Sequence, residues 1–143
     1  MATTYVNLKG KLRWAKLREP DTFNGESRWI TDLYDLDEES IGRFKDSGMG
    51  VHWKTDKEGN EFIRLRRPVQ KQIKGEMVEF DPPKVVDAEG NDIPDDVLIG
   101  NGSEAVVNVA VYDAGRYKGH RLQAVKITNL VEYTGDQGGA DVV

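Results

Sequence analysis

Ile99-Gly100-Asn101-Gly102-Ser103 precedes a β-branched run from Val106 to Val111, and Arg116-Tyr117-Lys118-Gly119-His120 leads into Arg121-Leu122-Gln123-Ala124-Val125. In order these read as a glycine turn, a strand, a basic and aromatic hairpin loop, and a return strand. Gly100 and Gly102 supply a turn with positive φ rather than a phosphate loop, because no Gly-x-x-x-x-Gly-Lys follows and no strand–glycine–helix order surrounds them. A hairpin whose tip carries cations and a ring can hold a phosphate backbone and stack on a base.

Working outward, residues 4–17 alternate as one long strand. Val6, Leu8, Leu12 and Trp14 share one face, and Asn7, Lys9, Lys11 and Arg13 share the other. The alternation fails at Ala15-Lys16-Leu17, which predicts a bulge or bend. Residues 18–27, with Pro20, Asp21, Asn24 and Gly25, read as a loop. Residues 28–36 alternate again, with Trp29, Thr31 and Leu33 opposite Ile30, Asp32 and Tyr34. Asp37 to Gly48 is the one expected helix: Asp37 caps it, early acids suit its dipole, Gly48 ends it, and Ile41 and Phe44 face the core. Residues 51–54 and 61–67 are expected strands across the Asp56–Asn60 turn; 77–80 and 84–86 are strand-like, with Pro82-Pro83 marking an edge. Residues 87–97 form an acidic loop, and 104–112 with 121–133 form the final pair. No internal repeat stands out. The sum is an all-β chain of six or seven strands with one short helix. Sandwich and barrel both suit it, and the bent first strand favours an antiparallel barrel, which closes its edges.

The chain of 143 residues fits one domain, expected over 1–133, with a flexible tail over 134–143. It contains no cysteine, so disulfides, thiolate metal sites and cysteine nucleophiles are excluded. No signal-peptide pattern opens it, and no apolar run approaches the roughly eighteen residues of a membrane span. The net charge of −5 is unevenly spread. Residues 1–18 and 114–127 carry cations and no acid, whereas 79–104 hold eight acids against Lys84 alone. A fold that gathers the basic segments makes a local anion-binding surface on an acidic protein.

Candidate binding residues follow from these strands. On 61–67, Phe62, Arg64 and Arg66 alternate with apolar Ile63 and Leu65, so a ring flanked by guanidiniums is expected to point outward. Either that face is simply solvated or it is a stacking platform beside phosphate clamps. Lys9, Lys11 and Arg13 make a second outward row. Trp14 sits on an apolar face, Trp29 is ambiguous, and Trp53, between His52 and Lys54, is expected to be the most exposed tryptophan. Tyr117 lies between Arg116 and Lys118, where it is an exposed tip residue or a stacking one. The loop Asp87 to Asp92 lacks the ligand pattern of a calcium loop, since position 98 is Leu98. His52 and His120 have no partners at ligand spacing, and no Gly-x-Ser-x-Gly or paired carboxylate pattern appears, so neither a metal, a cofactor nor an enzymatic activity is expected.

The 99–103 turn, the valine strand and Arg121-Leu122-Gln123-Ala124-Val125 resemble the C-terminal half of bacteriophage single-stranded-DNA-binding proteins, over residues 97–131 and more weakly over 4–17. The resemblance implies an OB-type barrel that coats single-stranded DNA without sequence preference, during phage DNA replication, recombination and repair in the host cytoplasm. Duplex DNA would bind more weakly. The expected contacts are Lys9, Lys11, Arg13, Arg64, Arg66, Arg116, Lys118 and Arg121 on phosphates, and Trp53, Phe62 and Tyr117 on bases. It also implies an acidic tail that contacts replication proteins, whereas the segment after the last strand here holds only Glu132, Asp136 and Asp141. The oligomeric state is left open. The alternative is a small structural barrel of a virion, its basic strands serving protein contacts.

Overall fold

The computed structural model describes residues 3–23, 25–94, 97, 99–113 and 118–131. Among these are nine strands and one helix. They are β1 (Thr3–Phe23), β2 (Glu26–Tyr34), α1 (Glu38–Ser47), β3 (Lys54–Thr55), β4 (Glu61–Pro68), β5 (Gln70–Ile73), β6 (Glu76–Glu79), β7 (Lys84–Val86), β8 (Glu104–Asp113) and β9 (Lys118–Asn129). The expected tail, 134–143, and the expected loop residues Arg116 and Tyr117 lie outside the described residues.

The order β4-β2-β1-β8-β9 is antiparallel at every step. This is the five-stranded, partly open Greek-key barrel of OB-type proteins. β1 makes the barrel possible by serving twice. Thr3 to Lys11 pair with β8, and Lys11 to Phe23 pair with β2. Gly10 stands at this crossing because a Cβ there would lie 2.7 Å from the Tyr34 carbonyl oxygen. Leu8, Leu12, Leu33, Ile63, Leu65, Val107, Val109, Leu122 and Val125 point inward and are fully buried. Burying each of the leucines contributes about 1.5–3 kcal/mol. The helix seals the barrel with Phe44, and its ends match expectation: Asp37 Oδ1 accepts from the Ser40 N–H at 2.8 Å, and Gly48 terminates it at φ +70°.

β4 and β9 close the barrel without a shared backbone ladder. The outer edge of β4 pairs with β3 only at Phe62 and Glu61, and that of β9 pairs with parallel β7 only from Ala124 to Lys126. Between these, the two strands meet through side chains. The Arg66 N–H donates to His120 Nε2 at 3.3 Å, and the Arg67 guanidinium donates to the Leu122 carbonyl at 3.2 Å.

Two expectations need correction. The loop expected at 18–27 is mostly strand. Asp21, Thr22 and Phe23 pair with Arg28, Ser27 and Glu26, and Pro20 falls in a register shift, where its missing N–H breaks no ladder bond. Trp14 does not continue the buried face of Leu12. It adopts φ +53° at the register shift between Arg13 and Lys16, which turns it outward at 62% exposure. For a side chain other than glycine this conformation costs about 1–2 kcal/mol. Asp56-Lys57-Glu58-Gly59-Asn60 and Asp87-Ala88-Glu89-Gly90-Asn91 fold alike: in each, the aspartate Oδ1 accepts from the N–H groups two and four residues on, at 2.9–3.0 Å. Gly59 and Gly90 have φ +87° and +86°.

The opening motif of the sequence fastens this architecture. Ser103 Oγ is buried beside the Gly100 and Val131 carbonyls and accepts from the Val131 N–H at 2.9 Å. Gly102 donates to the Leu12 carbonyl from φ +95°. Asn101 Oδ1 accepts from the Trp14 N–H at 2.9 Å. The turn thus ties the bend of β1 to the end of β9.

Candidate nucleic-acid interface

The first cationic group lies on the outer face of β1, β2 and β4. Register brings Arg13, Asp32 and Arg64 into one row across the three strands, so the two basic rows do share a face. The intervening strand supplies the acid that neutralises them. Asp32, only 2% exposed, receives Arg64 Nε on Oδ1 at 2.7 Å and Arg64 Nη2 on Oδ2 at 3.3 Å. Hydrogen bonding to Asp32 is also the main reason the Arg64 guanidinium is held above its usual pKa. Arg13 reaches Asp56 at 2.7 Å and Asp32 at 3.9 Å. That contact, with the Asn60 and Glu58 N–H groups, holds the Asp56 carboxyl down to about 2. Lys11 pairs with Asp35 at 3.3 Å, and Lys9 sits beside Asp37 and the helix start.

The rings expected in this region are enclosed. Phe62 does not alternate outward as a platform. It is 7% exposed, under the Arg13 guanidinium at 4.7 Å and beside that of Arg64 at 5.8 Å. Trp53 is half-buried and meets Phe44 edge-on at 5.4 Å, while Trp29 is 5% exposed. Trp14, not Trp53, is the exposed tryptophan.

A second group lies across the β4–β9 seam and was largely missed from the sequence. Phe80, just after β6, stands between two guanidiniums: Arg121 at 4.9 Å and Arg67 at 5.3 Å. Arg121 also covers Tyr112 of β8 at 5.4 Å, and Lys71 of β5 covers the same ring at 5.3 Å. Lys71, Tyr112, Arg121, Phe80 and Arg67 form a chain of alternating cation and ring. Cation–π contacts of this kind stabilise by about 0.5–2 kcal/mol each. Gly119 makes room for it, since a Cβ there would lie 2.7 Å from the Tyr112 ring.

The charges here are oriented but not neutralised. Arg67 donates to the Asp81 carbonyl at 2.6 Å and to Gln123 Oε1 at 3.0 Å, and Arg121 donates to the same Gln123 oxygen at 3.3 Å. Among the described residues no carboxylate forms an ion pair with Arg66, Arg67, Lys71, Lys118 or Arg121. Burial and the neighbouring Arg121 hold the Arg67 guanidinium below its usual pKa, outweighing the favourable charge of Asp81. Arg66 points to solvent alongside, and exposed Lys118 starts β9 near the C-terminal end of α1. His120 is desolvated between the strands, which with the charge of Arg66 pushes its pKa down to about 4. Its neutral ring is the acceptor in the seam.

Of the residues expected from sequence, Arg121 lies in this cluster and Arg66 beside it at His120, whereas Lys118 lies against Gly48 at the end of α1. Lys9, Lys11, Arg13, Phe62 and Trp53 lie outside the cluster. Arg67 was visible only as the third arginine before Pro68, Tyr112 as the end of the valine strand, and Phe80 as the residue before Asp81-Pro82-Pro83. Among the described residues there is no cluster of ligands for a metal ion, and no helix is long and apolar enough to cross a membrane.

No family model and no curated protein sequence matches the chain. Solved structures do. The chain is similar to gp2.5, a single-stranded DNA binding protein encoded by bacteriophage T7, at 18% identity and a TM-score of 0.68, covering 99% of this chain and 96% of that one. It is also similar to the single-stranded DNA-binding protein from bacteriophage Enc34 in complex with ssDNA, at 14% identity and a TM-score of 0.58, covering 93% and 89%. The same Enc34 protein in a further structure gives 12% identity and a TM-score of 0.57. The likeness to phage single-stranded-DNA-binding proteins expected from the 97–131 motif is therefore present as a shared fold over nearly the whole chain.

Proposed function

We propose that the protein binds single-stranded DNA without sequence preference across the β4–β9 seam. The observation that carries this reading is the Lys71–Tyr112–Arg121–Phe80–Arg67 chain, which concentrates cations with no ion-paired carboxylate around two half-buried rings. Arg66, Arg67, Lys118 and Arg121 receive phosphates, while Tyr112 and Phe80 offer faces to bases. Arg64, on the same strand as Arg66, is partly exposed. Arg116 and Tyr117 belong to the proposal on their sequence position between Asp113 and Lys118 alone. OB-type barrels use the face of their second and third strands and the adjoining loops for oligonucleotides; β2 and β4 are those strands here, and the seam meets that face only along β4, at Arg66. Every base has a π-face, so stacking is tolerant of sequence, and a duplex hides those faces and binds more weakly.

The role that follows is coating of single strands exposed in phage DNA replication, recombination and repair, in the host cytoplasm, with no catalytic step. The test is a titration with oligo-dT at low and high salt. The anisotropy of a labelled oligo-dT rises on binding, affinity falls by about 0.7 log units per log unit of salt for each phosphate neutralised, and duplex competes poorly. A flat titration at low salt overturns the assignment and leaves a structural barrel.

A further inference from the structure

The seam group uses none of the three tryptophans, yet one of them is placed in a costly way. Trp14 has φ +53° and is 62% exposed at the bulge of β1. Glycine would take this conformation without strain, and a buried ring would offset the strain through packing. The chain does neither. It carries its largest side chain in a left-handed turn, aims it at water, and pins the backbone there through Asn101. Non-glycine residues held this way concentrate where a ligand is gripped.

The surroundings identify the ligand. Immediately after the bulge, Lys16 pairs with Ile30 of β2, and Ile30 pairs with Arg66 of β4. This row runs outward across three strands from the Trp14 bulge to the seam, where the Arg66 N–H meets His120. Lys16 and Arg66 are both exposed, and among the described residues no carboxylate forms an ion pair with either. The neighbouring row differs in kind, its cations being closed by Asp32 and Asp56. One row with exposed cations at both ends therefore leads from the bulge that carries the exposed indole to the strand that borders the seam.

We infer that Trp14 is a second, separate base-stacking point, and that a single strand held at the seam runs along Lys16 and Arg66 to reach it. The inference rests on the proposed single-strand binding and extends its footprint across the barrel.

The test uses the full chain with Trp14→Gly and Trp14→Phe, titrated with oligo-dT and with an abasic phosphodiester of equal length. Trp14→Gly removes the ring and the strain together. Its melting temperature stays at or above that of the unaltered chain, whereas its oligo-dT affinity falls about tenfold and most of the DNA-dependent emission change disappears. Trp14→Phe keeps a ring and binds within a few-fold of the unaltered chain. On the abasic oligomer the two variants and the unaltered chain bind alike. Oligo-dT binding by Trp14→Gly equal to that of the unaltered chain overturns the inference and leaves the seam assignment standing. Equal loss in both variants also overturns it, because the ring would then not be what matters. Failure of the unaltered chain to bind oligo-dT at all sinks the seam assignment itself.

Discussion

Around Asp32, Arg13 and Arg64 are drawn onto a carboxylate buried in the wall of the barrel, and the Phe62 ring is closed beneath them. Across the seam, Arg67 and Arg121 are held by carbonyl and amide oxygens and by rings, which fix direction without cancelling charge. Both groups are arginines beside aromatics, and composition does not tell them apart. The partner does. A carboxylate neighbour turns an arginine into a strut of the fold, while a neutral acceptor leaves its field available to an incoming anion. Local sequence that reads as a binding strip can therefore be structural, and the deciding residue sits on another strand.

The strongest challenge to this contrast is the double substitution Arg67→Ala with Arg121→Ala. Losing two charge-assisted contacts lowers oligo-dT affinity about 100-fold at low salt, and the log–log salt slope shrinks by about 1.4, with circular dichroism unchanged. The complementary change, Asp32→Asn, acts on the other group. It leaves Arg64 without its buried anion, while Arg13 keeps Asp56, and destabilises the fold by about 2–3 kcal/mol in urea titrations, while oligo-dT binding becomes steeper in salt as the released Arg64 guanidinium meets phosphate.

The seam also has its own acid sensitivity. His120 titrates at about 4 in the fold against an ordinary 6.5, so its neutral ring is favoured by folding. Its contribution is complete above 6.5 and is withdrawn as pH falls from there toward 4, because the unfolded chain takes up the proton first. Unfolding free energies from urea titrations should decline across that window by on the order of 2 kcal/mol, and His120→Gln should flatten the decline. Asp56, held down to about 2 chiefly by its hydrogen bond from Arg13, loses its share only at lower pH, so the two regions separate on the pH axis. The mildest test is Gly119→Ala. The new methyl group displaces the Tyr112 ring and weakens oligo-dT binding a few-fold, with little effect on the Asp32 group.

Much of the barrel was legible because its periodicity is local. The alternation in β2 and β4, the caps of α1 and the glycine turn before β8 are set by residues within a few positions of one another. The bend of β1 was legible as a fault in alternation, but not its outcome, since Trp14 leaves the core through a backbone rotation that the pattern of apolar residues does not encode. β5 was missed because Gln70-Lys71-Gln72 carries no apolar alternation; its pairing with β6 supplies the strand. The site was legible only in part for the same reason. Arg121 was among the expected contacts, but Phe80 and Arg67 come together with it from segments 41 and 54 positions away, and nothing near either residue announces the meeting.

The seam has a consequence for motion. A hoop riveted by backbone pairing on four sides and buckled by an imidazole and a guanidinium on the fifth has one place where it can be undone. Amide exchange in the second half of β4 should outpace that of the riveted strands. A polyanion laid over the buckle would slow it, so a bound strand would leave its imprint as protection of β4 and β9 as well as in occupancy.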